Sequence, residues 1–163
     1  MADGGASTFI MLITGLLISS SVSAVLISEW SSMARAAQKD QQSITFANEL
    51  GVEFAGDPMM VDLNTTGSQE ITFYLQNTGE HPLDRNDIAV LVNGTAPATI
   101  TTYIVNSGTW NSNDIIVVEL QDTNFGTTPY VEGNDIKLFV IVGSETVSGL
   151  RSSASMNIEV RLS

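Results

Sequence analysis

The chain has 163 residues, of which 18 are acidic and 6 basic, giving a formal net charge of −12 at pH 7. A charge this negative repels nucleic acid and anionic lipid headgroups, which excludes a nucleic-acid partner. The chain has no cysteine, which excludes disulfides, thiolate catalysis and Cys-ligated metals.

The first predicted element is an apolar helix. The 25 residues from Gly4 to Ser28 include no charged side chain. About 20 helical residues cross the hydrocarbon core of a bilayer, so the stretch is long enough to span a membrane. Its apolar side chains cover the whole helix circumference, which predicts surroundings of lipid or of other helices.

Two other interpretations fit this stretch less well, a cleaved signal and a helix buried in a globular core. A cleaved secretory signal would begin with basic residues, whereas here Asp3 precedes the apolar run and the first basic residue is Arg35. A helix buried in a globular core would be shorter. A helix that begins in the membrane and later enters the core of an assembly is retained as the alternative to a permanent anchor.

The helix is predicted to continue beyond the membrane as a stalk. Residues 29 to 42 are rich in good helix formers and contain no Gly or Pro. A continuous helix from Ser7 to Gln42 would be about 54 Å long, which exceeds the bilayer thickness. Trp30, where the apolar run ends, marks either the membrane–water boundary or a helix–helix contact.

Small residues recur at four-residue spacing inside the apolar run, as Gly15 with Ser19 and Ser20 with Ala24. This spacing lets two helix backbones approach closely, and serines can hydrogen-bond across the contact. We therefore predict membrane or helix packing at Phe9, Leu12, Gly15, Leu16, Ser19, Ser20, Ala24 and Trp30.

Beyond Gln42 the apolar period changes from helical to two, the period of a half-buried strand. We therefore divide the chain into a helix and stalk over residues 1–42 and a β-domain over residues 43–163. Strands are predicted at Leu50–Phe54, Met59–Leu63, Ile71–Leu75, Asp87–Val92, Ile100–Val105, Asp114–Leu120, Ile136–Val142 and Met156–Leu162.

Turn residues fall between these strands, including Asn77-Thr78-Gly79, Ser107-Gly108 and the segment from Gly126 to Pro129. Seven or eight short strands separated by turns are typical of an Ig-like antiparallel β-sandwich. The predicted fold is therefore α+β by element but mainly β, with a long N-terminal helix followed by a sandwich.

Catalytic signals are weak. His81, the one histidine, precedes Pro82 in a polar segment and is predicted to be a solvated loop residue. Neither a phosphate-binding glycine loop nor a G-x-S-x-G turn is present. Residues 84–87 and 111–114 offer oxygen ligands for a cation such as calcium, but they are also ordinary turn sequences. We assign no catalytic, cofactor-binding or metal residue and expect a non-enzymatic protein without a cofactor.

Two kinds of surface site are predicted in the β-domain. Asn64 and Asn93 begin N-x-[ST] sequons at turns, which suits N-glycosylation of an exported domain. The last strand has no proline and only Glu159 and Arg161 as charged residues. An edge strand without blocking residues can pair with another chain, so Asn157, Glu159 and Arg161 are candidate edge-strand contacts.

The acidic composition also suggests concentrated salt as the working medium. From residue 43 onward the chain has 15 acidic and 4 basic residues, and only Lys39 and Lys137 in the whole chain are lysines. Counterions at high concentration screen the repulsion between such acidic groups. We therefore expect a halophilic protein.

The order of the elements resembles a known family. The run A-S-T-F-I-M-L-I-T-G-L-L-I-S-S-S-V-S-A-V-L-I leads into a polar helix and a small acidic sandwich, as in the archaellum (archaeal flagellum) proteins with their type IV pilin-like helix. The passage T-F-Y-L-Q-N-T-G-E-H-P-L-D-R-N-D-I-A-V-L-V-N-G also looks like their β-domains. The resemblance covers essentially the whole chain.

Within that family, filament subunits carry a basic leader that ends in Lys or Arg plus Gly and is cut before the apolar run. Here the leader would be residues 1–5, which include Asp3 and no basic residue. This difference favours the uncleaved accessory members FlaF and FlaG, and the polar helix after Trp30 looks more like FlaG. The resemblance implies a membrane-anchored, stator-like protein that partners a FlaF-like protein beneath the S-layer.

Membrane orientation is predicted differently by two arguments. Arg35 and Lys39 follow the span and no basic residue precedes it, so the positive-inside rule puts the sandwich in the cytoplasm. The resemblance puts it on the extracellular (pseudoperiplasmic) side, the orientation that we expect, since large domains are translocated against a small charge bias. The alternatives are an extracellular filament subunit, as part of a homo-oligomer, and a membrane-anchored surface binding module or small hydrolase.

Overall fold

The computed structural model describes residues 3–104, 108–123, 125 and 129–163. These residues form one long helix followed by eight strands, which confirms the predicted order of elements. The chain divides into two compact units, Met1–Gln42 and Ser43–Ser163. We call the second of these the β-unit.

Helix α1 is longer than predicted and runs over Asp3–Asn48. The prediction that it ends near Gln42 is wrong by about two turns. Residues 43–48 contain the β-branched residues Ile44 and Thr45, which imitate the start of a strand, but no Gly or Pro stops the helix before Gly51. The buried side chain of Phe46 stabilises this last part of the helix.

The strands confirm the predicted sandwich. Their bounds are β1 Val52–Ala55, β2 Asp62–Asn64, β3 Gln69–Asn77, β4 Leu83–Val92, β5 Thr99–Ile104, β6 Ile115–Asp122, β7 Asp135–Ser144 and β8 Ser153–Arg161. The predicted strand end at Val105, Ser107 of one predicted turn, residues 126–128 of another, and Met1 and Ala2 lie outside the described residues.

Strands β2 and β4 begin at residues other than those predicted from the sequence. Met59 and Met60 were predicted in a strand, but both are exposed in a turn in which the Asp57 carboxylate accepts a hydrogen bond from the Met59 amide at 2.9 Å. Strand β4 begins at Leu83, so the predicted loop over residues 84–87 is part of a strand with an irregular register. Leu83 fixes this start because it is buried and lies opposite Ser144 of β7.

The strands form two antiparallel sheets. One has five strands in the order β1-β3-β6-β5, with β2 beside β3, and the other has three in the order β4-β7-β8. Apolar side chains from both sheets, including Phe73 of β3 and Leu138 of β7, pack in one core with Trp110. Strand β7 alternates between buried and exposed residues until its last three positions, so one of its faces belongs to the core and the other is an outer surface.

Candidate functional site

The last turn of α1 is held by a side-chain cluster. The rings of Phe46 and His81 stack with centroids 4.5 Å apart. His81 Nε2 donates a hydrogen bond to Glu49 Oε2 at 2.8 Å. The prediction that His81 is a solvated loop residue is therefore wrong, because its side chain is three-quarters buried between an aromatic ring and a carboxylate.

The Asn77-Thr78-Gly79 turn holds the chain that leaves this helix. The amides of Thr78 and Gly79 donate to the Gly51 carbonyl at 3.0 and 3.3 Å, and the Glu80 amide donates to the Glu49 carbonyl at 2.8 Å. Gly79 has no room for a side chain, because a Cβ there would lie 2.5 Å from the Gly51 nitrogen. The turn therefore acts as a backbone clamp on residues 49–51, and the cluster and the turn together form what we call the helix joint.

Helix α1 exposes its apolar side chains up to residue 45. Within the described part of the chain, residues 4–45 are all exposed, and α1 is the one helix long and apolar enough to cross a membrane. Apart from the backbone of α1 itself, no described atom lies within 4 Å of the place where a Cβ would stand on Gly15. The Ser20 hydroxyl donates to the Leu17 carbonyl at 3.0 Å, which satisfies it within its own helix. The candidate packing positions Phe9, Leu12, Gly15, Leu16, Ser19, Ser20, Ala24 and Trp30 therefore all lie on an uncovered surface.

The two sequon asparagines differ in their contacts although both are exposed. The Asn93 amide group is engaged at both ends: Nδ2 donates to the Tyr130 hydroxyl at 2.7 Å and Oδ1 accepts from the Lys137 amide at 2.9 Å. Asn64 accepts one local hydrogen bond, from the Thr66 amide at 3.0 Å. Glycosylation stays a prediction, and Asn64 is the expected acceptor because a glycan on Asn93 would disturb its contact with Tyr130.

Strand β8 lies at the edge of its sheet. It pairs with β7 on one side, where Leu162 exchanges hydrogen bonds with Gly133 and Asn134. The backbone of Arg161 faces the opposite side and is hydrogen-bonded to Pro58 and Val61. Because successive residues alternate, the backbone groups of Ser155, Asn157 and Glu159 also face that outer side, where no described residue hydrogen-bonds to them. Residues 155–159 therefore form an open backbone edge.

Residues 84–87, which resemble a cation-binding loop in sequence, form ion pairs with an arginine. Arg151 Nη2 lies 2.8 Å from Asp87 Oδ2 and 3.5 Å from Asp84 Oδ2. In the second segment, the Asp114 carboxylate accepts a hydrogen bond from the Asn111 amide at 3.1 Å, as in an ordinary turn. Among the described residues no group of three or more His, Cys, Asp or Glu side chains is arranged to hold a metal ion.

Sequence reasoning missed two features of the β-unit. The helix joint brings together Phe46 and His81, which lie far apart in sequence. The second feature is the outer face of the three-stranded sheet, where Phe139 and Ile141 are more than one-third exposed. The sequence from Ile136 to Val142 indicates this outer face. Successive side chains of a strand point to opposite sides of the sheet, so the consecutive apolar residues there cannot all face one core.

Comparison with solved structures gives only remote similarities. The GAE domain of GGA2p from Saccharomyces cerevisiae is 14% identical, with a TM-score of 0.35 over 69% of this chain and 89% of that chain. The secreted serine protease VesC from Vibrio cholerae is 18% identical, with a TM-score of 0.31 over 74% of this chain and 25% of that chain. The yeast GGA1 GAE domain is 15% identical, with a TM-score of 0.31 over 69% and 90% of the two chains.

The comparison with protein families is more informative. No curated protein matches the chain. The family model for archaeal-type flagellin matches residues 2–160, which include both the exposed apolar helix and the β-unit. The chain therefore belongs to the archaeal-type flagellin family.

Proposed function

We propose that this chain is a membrane-anchored, stator-like structural component of the archaellum, similar to the accessory protein FlaG. The coarser part follows from the family, whose members are structural components of the archaellum. The observation that carries the finer part is the helix surface: residues 4–28 are uncharged and exposed. A surface this apolar requires lipid or other helices around it.

The residues before the apolar run support an anchor that stays in the membrane. Asp3 precedes Gly4 and Gly5, whereas the filament subunits that the chain resembles have a basic residue before the cleavage site. An acidic residue there makes a poor match to a peptidase site that requires Lys or Arg. The unprocessed helix would then hold the β-unit at the membrane on the extracellular side.

The open edge of β8 supports a protein partner for the β-unit. Ser155, Asn157 and Glu159 offer backbone donors and acceptors that no described residue pairs with, and a strand of another β-domain can use them to extend the sheet. We propose that a FlaF-like protein occupies this edge and links the chain indirectly to the S-layer. Such a linkage would hold the motor against rotation without any catalytic step.

A second candidate is a filament subunit whose helix leaves the membrane to build the filament core. The family description fits this role at least as well. The spacing of Gly15 with Ser19 and of Ser20 with Ala24 also favours close packing against identical helices. In this case the small, exposed side chains would face other copies of α1 instead of lipid.

The mass of the mature N-terminus distinguishes the two roles. The native protein would be purified from cell membranes and from sheared filaments, and its intact mass would be measured. A stator-like protein is expected in the membrane fraction with residues up to Gly5 retained. A chain that lacks this segment and forms a main component of sheared filaments would overturn the stator proposal in favour of the filament subunit.

We also propose that residues 43–163 fold independently of the apolar helix. A chain that begins at Ser43 keeps Phe46, Glu49 and their contacts with His81. Circular dichroism of that truncated chain should give a β-sheet spectrum with a cooperative melt. A largely helical or unfolded spectrum would contradict the proposed division.

A further inference from the structure

The outer face of the three-stranded sheet carries a contiguous apolar patch. Leu91 of β4 lies opposite Phe139 of β7, and Ala89 lies opposite Ile141 in the next outward-facing pair. Phe139 and Ile141 are 37% and 38% exposed, and Ala89 is exposed as well. These four residues, which we call the sheet patch, are neighbours across two strands and leave apolar surface in contact with water.

Paired charges border the sheet patch. At one end Arg161 donates two hydrogen bonds to the Asp135 carboxylate, at 2.8 and 3.0 Å. At the end where β4 begins, Arg151 pairs with Asp87 at 2.8 Å. An apolar centre with a charged rim is the usual composition of a protein–protein interface.

The basic residues of the β-unit are concentrated on this sheet. Its four basic residues lie on β4, β7, β8 or the loop between β7 and β8, and they are Arg85, Lys137, Arg151 and Arg161. Five of its 15 acidic residues lie on the same three strands or in that loop, and these are Asp84, Asp87, Asp135, Glu145 and Glu159. The three-stranded sheet with this loop is therefore close to neutral, with four basic and five acidic residues, whereas the charged side chains of the rest of the β-unit are all acidic.

The outer face of the five-stranded sheet shows the contrast. Tyr74 and Tyr103 are exposed there, with Glu70 and Glu119 on the same sheet and no basic residue on any of its strands. The negative charge of Glu119 raises the pKa of the Tyr103 hydroxyl above its usual value. This face would repel a second acidic β-unit.

We propose that the sheet patch is the surface through which the β-unit docks against a second copy of this chain. Two copies that meet at the sheet patch bring together their near-neutral faces and keep their acidic surfaces apart. An approach through the two five-stranded sheets would set acidic surfaces against each other, and like charges at an interface oppose association. Because the partner is the same chain, the contact is expected to be two-fold and self-complementary.

Anchoring by α1 makes a small patch sufficient. Chains held in one membrane or one assembly meet at a high effective concentration, so a contact that would be weak between free domains becomes populated. The inference deepens the proposed archaellum role by naming a surface for self-association, but it applies equally to a stator and to a filament subunit.

The test uses the absence of cysteine, which makes single-cysteine variants specific. Ile141→Cys places one thiol in the sheet patch, and Tyr74→Cys places a thiol of greater exposure on the opposite outer face as a matched control. Each full-length variant would be treated with a short bismaleimide cross-linker in detergent at molar potassium chloride. Helix-mediated association would affect both variants alike, so the difference between them reports the β-unit contact.

The expected result is a dimer band that is severalfold stronger for Ile141→Cys than for Tyr74→Cys. Adding Phe139→Asp to Ile141→Cys should remove the excess, while adding Tyr103→Asp should leave it, with unchanged circular dichroism in both. Equal yields from the two faces would overturn the inference. A cross-linked product in cells with the mass of one copy plus a different protein would also overturn it.

This result is separable from the proposed function. A chain that remains in the membrane fraction and restores motility to a deletion strain, but shows no preference for the sheet patch, would contradict only the docking inference. Selective cross-linking in a chain that is dispensable for motility would contradict only the archaellum role.

Discussion

The ring of Phe46, near the end of helix α1, stacks on the ring of His81 with 28° between the ring planes. Phe46 is 5% exposed, although residues 4–45, which precede it, are all exposed. The last turn of α1 therefore contributes a buried side chain to the β-unit. His81 completes this contact with its hydrogen bond to Glu49.

Removing the Phe46 ring should destabilise the β-unit. Truncation of a buried aromatic side chain to alanine leaves a cavity, and we expect Phe46→Ala to lower the free energy of unfolding by about 3 kcal/mol. Urea unfolding followed by tryptophan fluorescence would measure it. Ile44→Ala is the control, since Ile44 is exposed two residues earlier on the same helix. Similar losses for the two variants would contradict the role assigned to Phe46.

Removing the buried side-chain amide of Asn77 should also destabilise the β-unit. Its Nδ2 donates to the carbonyls of His81 and Trp110 at 2.9 and 3.1 Å, and its Oδ1 accepts from the Gly79 amide at 3.0 Å. Asn77→Ala leaves the two carbonyls and the Gly79 amide without the hydrogen bonds of this side chain in a buried site. We therefore expect the free energy of unfolding to fall by about 2–4 kcal/mol. The exposed Asn64→Ala is the control. A melting temperature equal to that of the control would disprove the prediction.

The Asp135 carboxylate provides a pH prediction. Two hydrogen bonds from Arg161 lower the pKa of Asp135 below its usual value. A carboxyl whose pKa is depressed by folding contributes stability above its unfolded pKa, and this contribution is lost as the pH falls through its folded pKa. In Arg161→Gln the pKa of Asp135 should rise towards that of a free aspartate, which NMR titration of the side-chain carboxyl can measure. Lys137→Gln is the control, and an equal rise there would point to general charge instead of the hydrogen bonds.

Salt should stabilise the β-unit over the molar range. Outside the three-stranded sheet and its β7–β8 loop the charged side chains of the β-unit are all acidic, so they repel one another without basic residues among them. Counterions screen this repulsion in the folded state, where the charges are closest. Thermal melts in increasing sodium chloride should show a rising melting temperature. A melting temperature indifferent to salt would exclude the halophilic interpretation.

Proline at position 157 should separate association from folding. The Asn157 backbone faces the open side of β8, so Asn157→Pro removes a donor that no described residue uses. Ile158→Pro removes a donor on the side that pairs with β7 and should unfold the strand. We expect Asn157→Pro to keep a β-sheet spectrum but to lose co-purification with its β-domain partner. Retention of the partner, or unfolding of this variant, would place the contact elsewhere.

The sequence predicts best those strands in which apolar and polar residues alternate strictly. In β3, Ile71, Phe73 and Leu75 alternate with polar residues and all three are buried, so periodicity alone identifies both the strand and its inner face. The alternation of Ile158 and Val160 with Glu159 in β8 was equally clear. Only the structure, however, shows that the backbone groups of Asn157 have no hydrogen-bond partner among the described residues, because strand order depends on contacts between distant segments.

The end of α1 shows why the remaining features were missed. Ile44 and Thr45 favour a strand locally, and the choice of helix is supported by the contact of Phe46 with His81, which lies 35 positions further along. The role of His81 was not predicted for the same reason, because its partner Phe46 is distant in sequence and its own sequence segment is polar. At the start of β4 the sequence predicts too short a strand. The buried side chain of Leu83 anchors the strand before a polar stretch, so β4 includes the residues from Asp84 to Asp87.

The clamp between the Asn77-Thr78-Gly79 turn and residues 49–51 has a consequence for how such proteins can diversify. All contacts of the helix joint described above are made by residues 46–51 and 77–81, and none by a residue before Phe46. The first 42 residues can therefore be exchanged for another helix of similar length without altering the joint. Anchors adapted to different membranes or assemblies could be grafted onto one β-unit, provided that Phe46, Gly51 and Gly79 are kept.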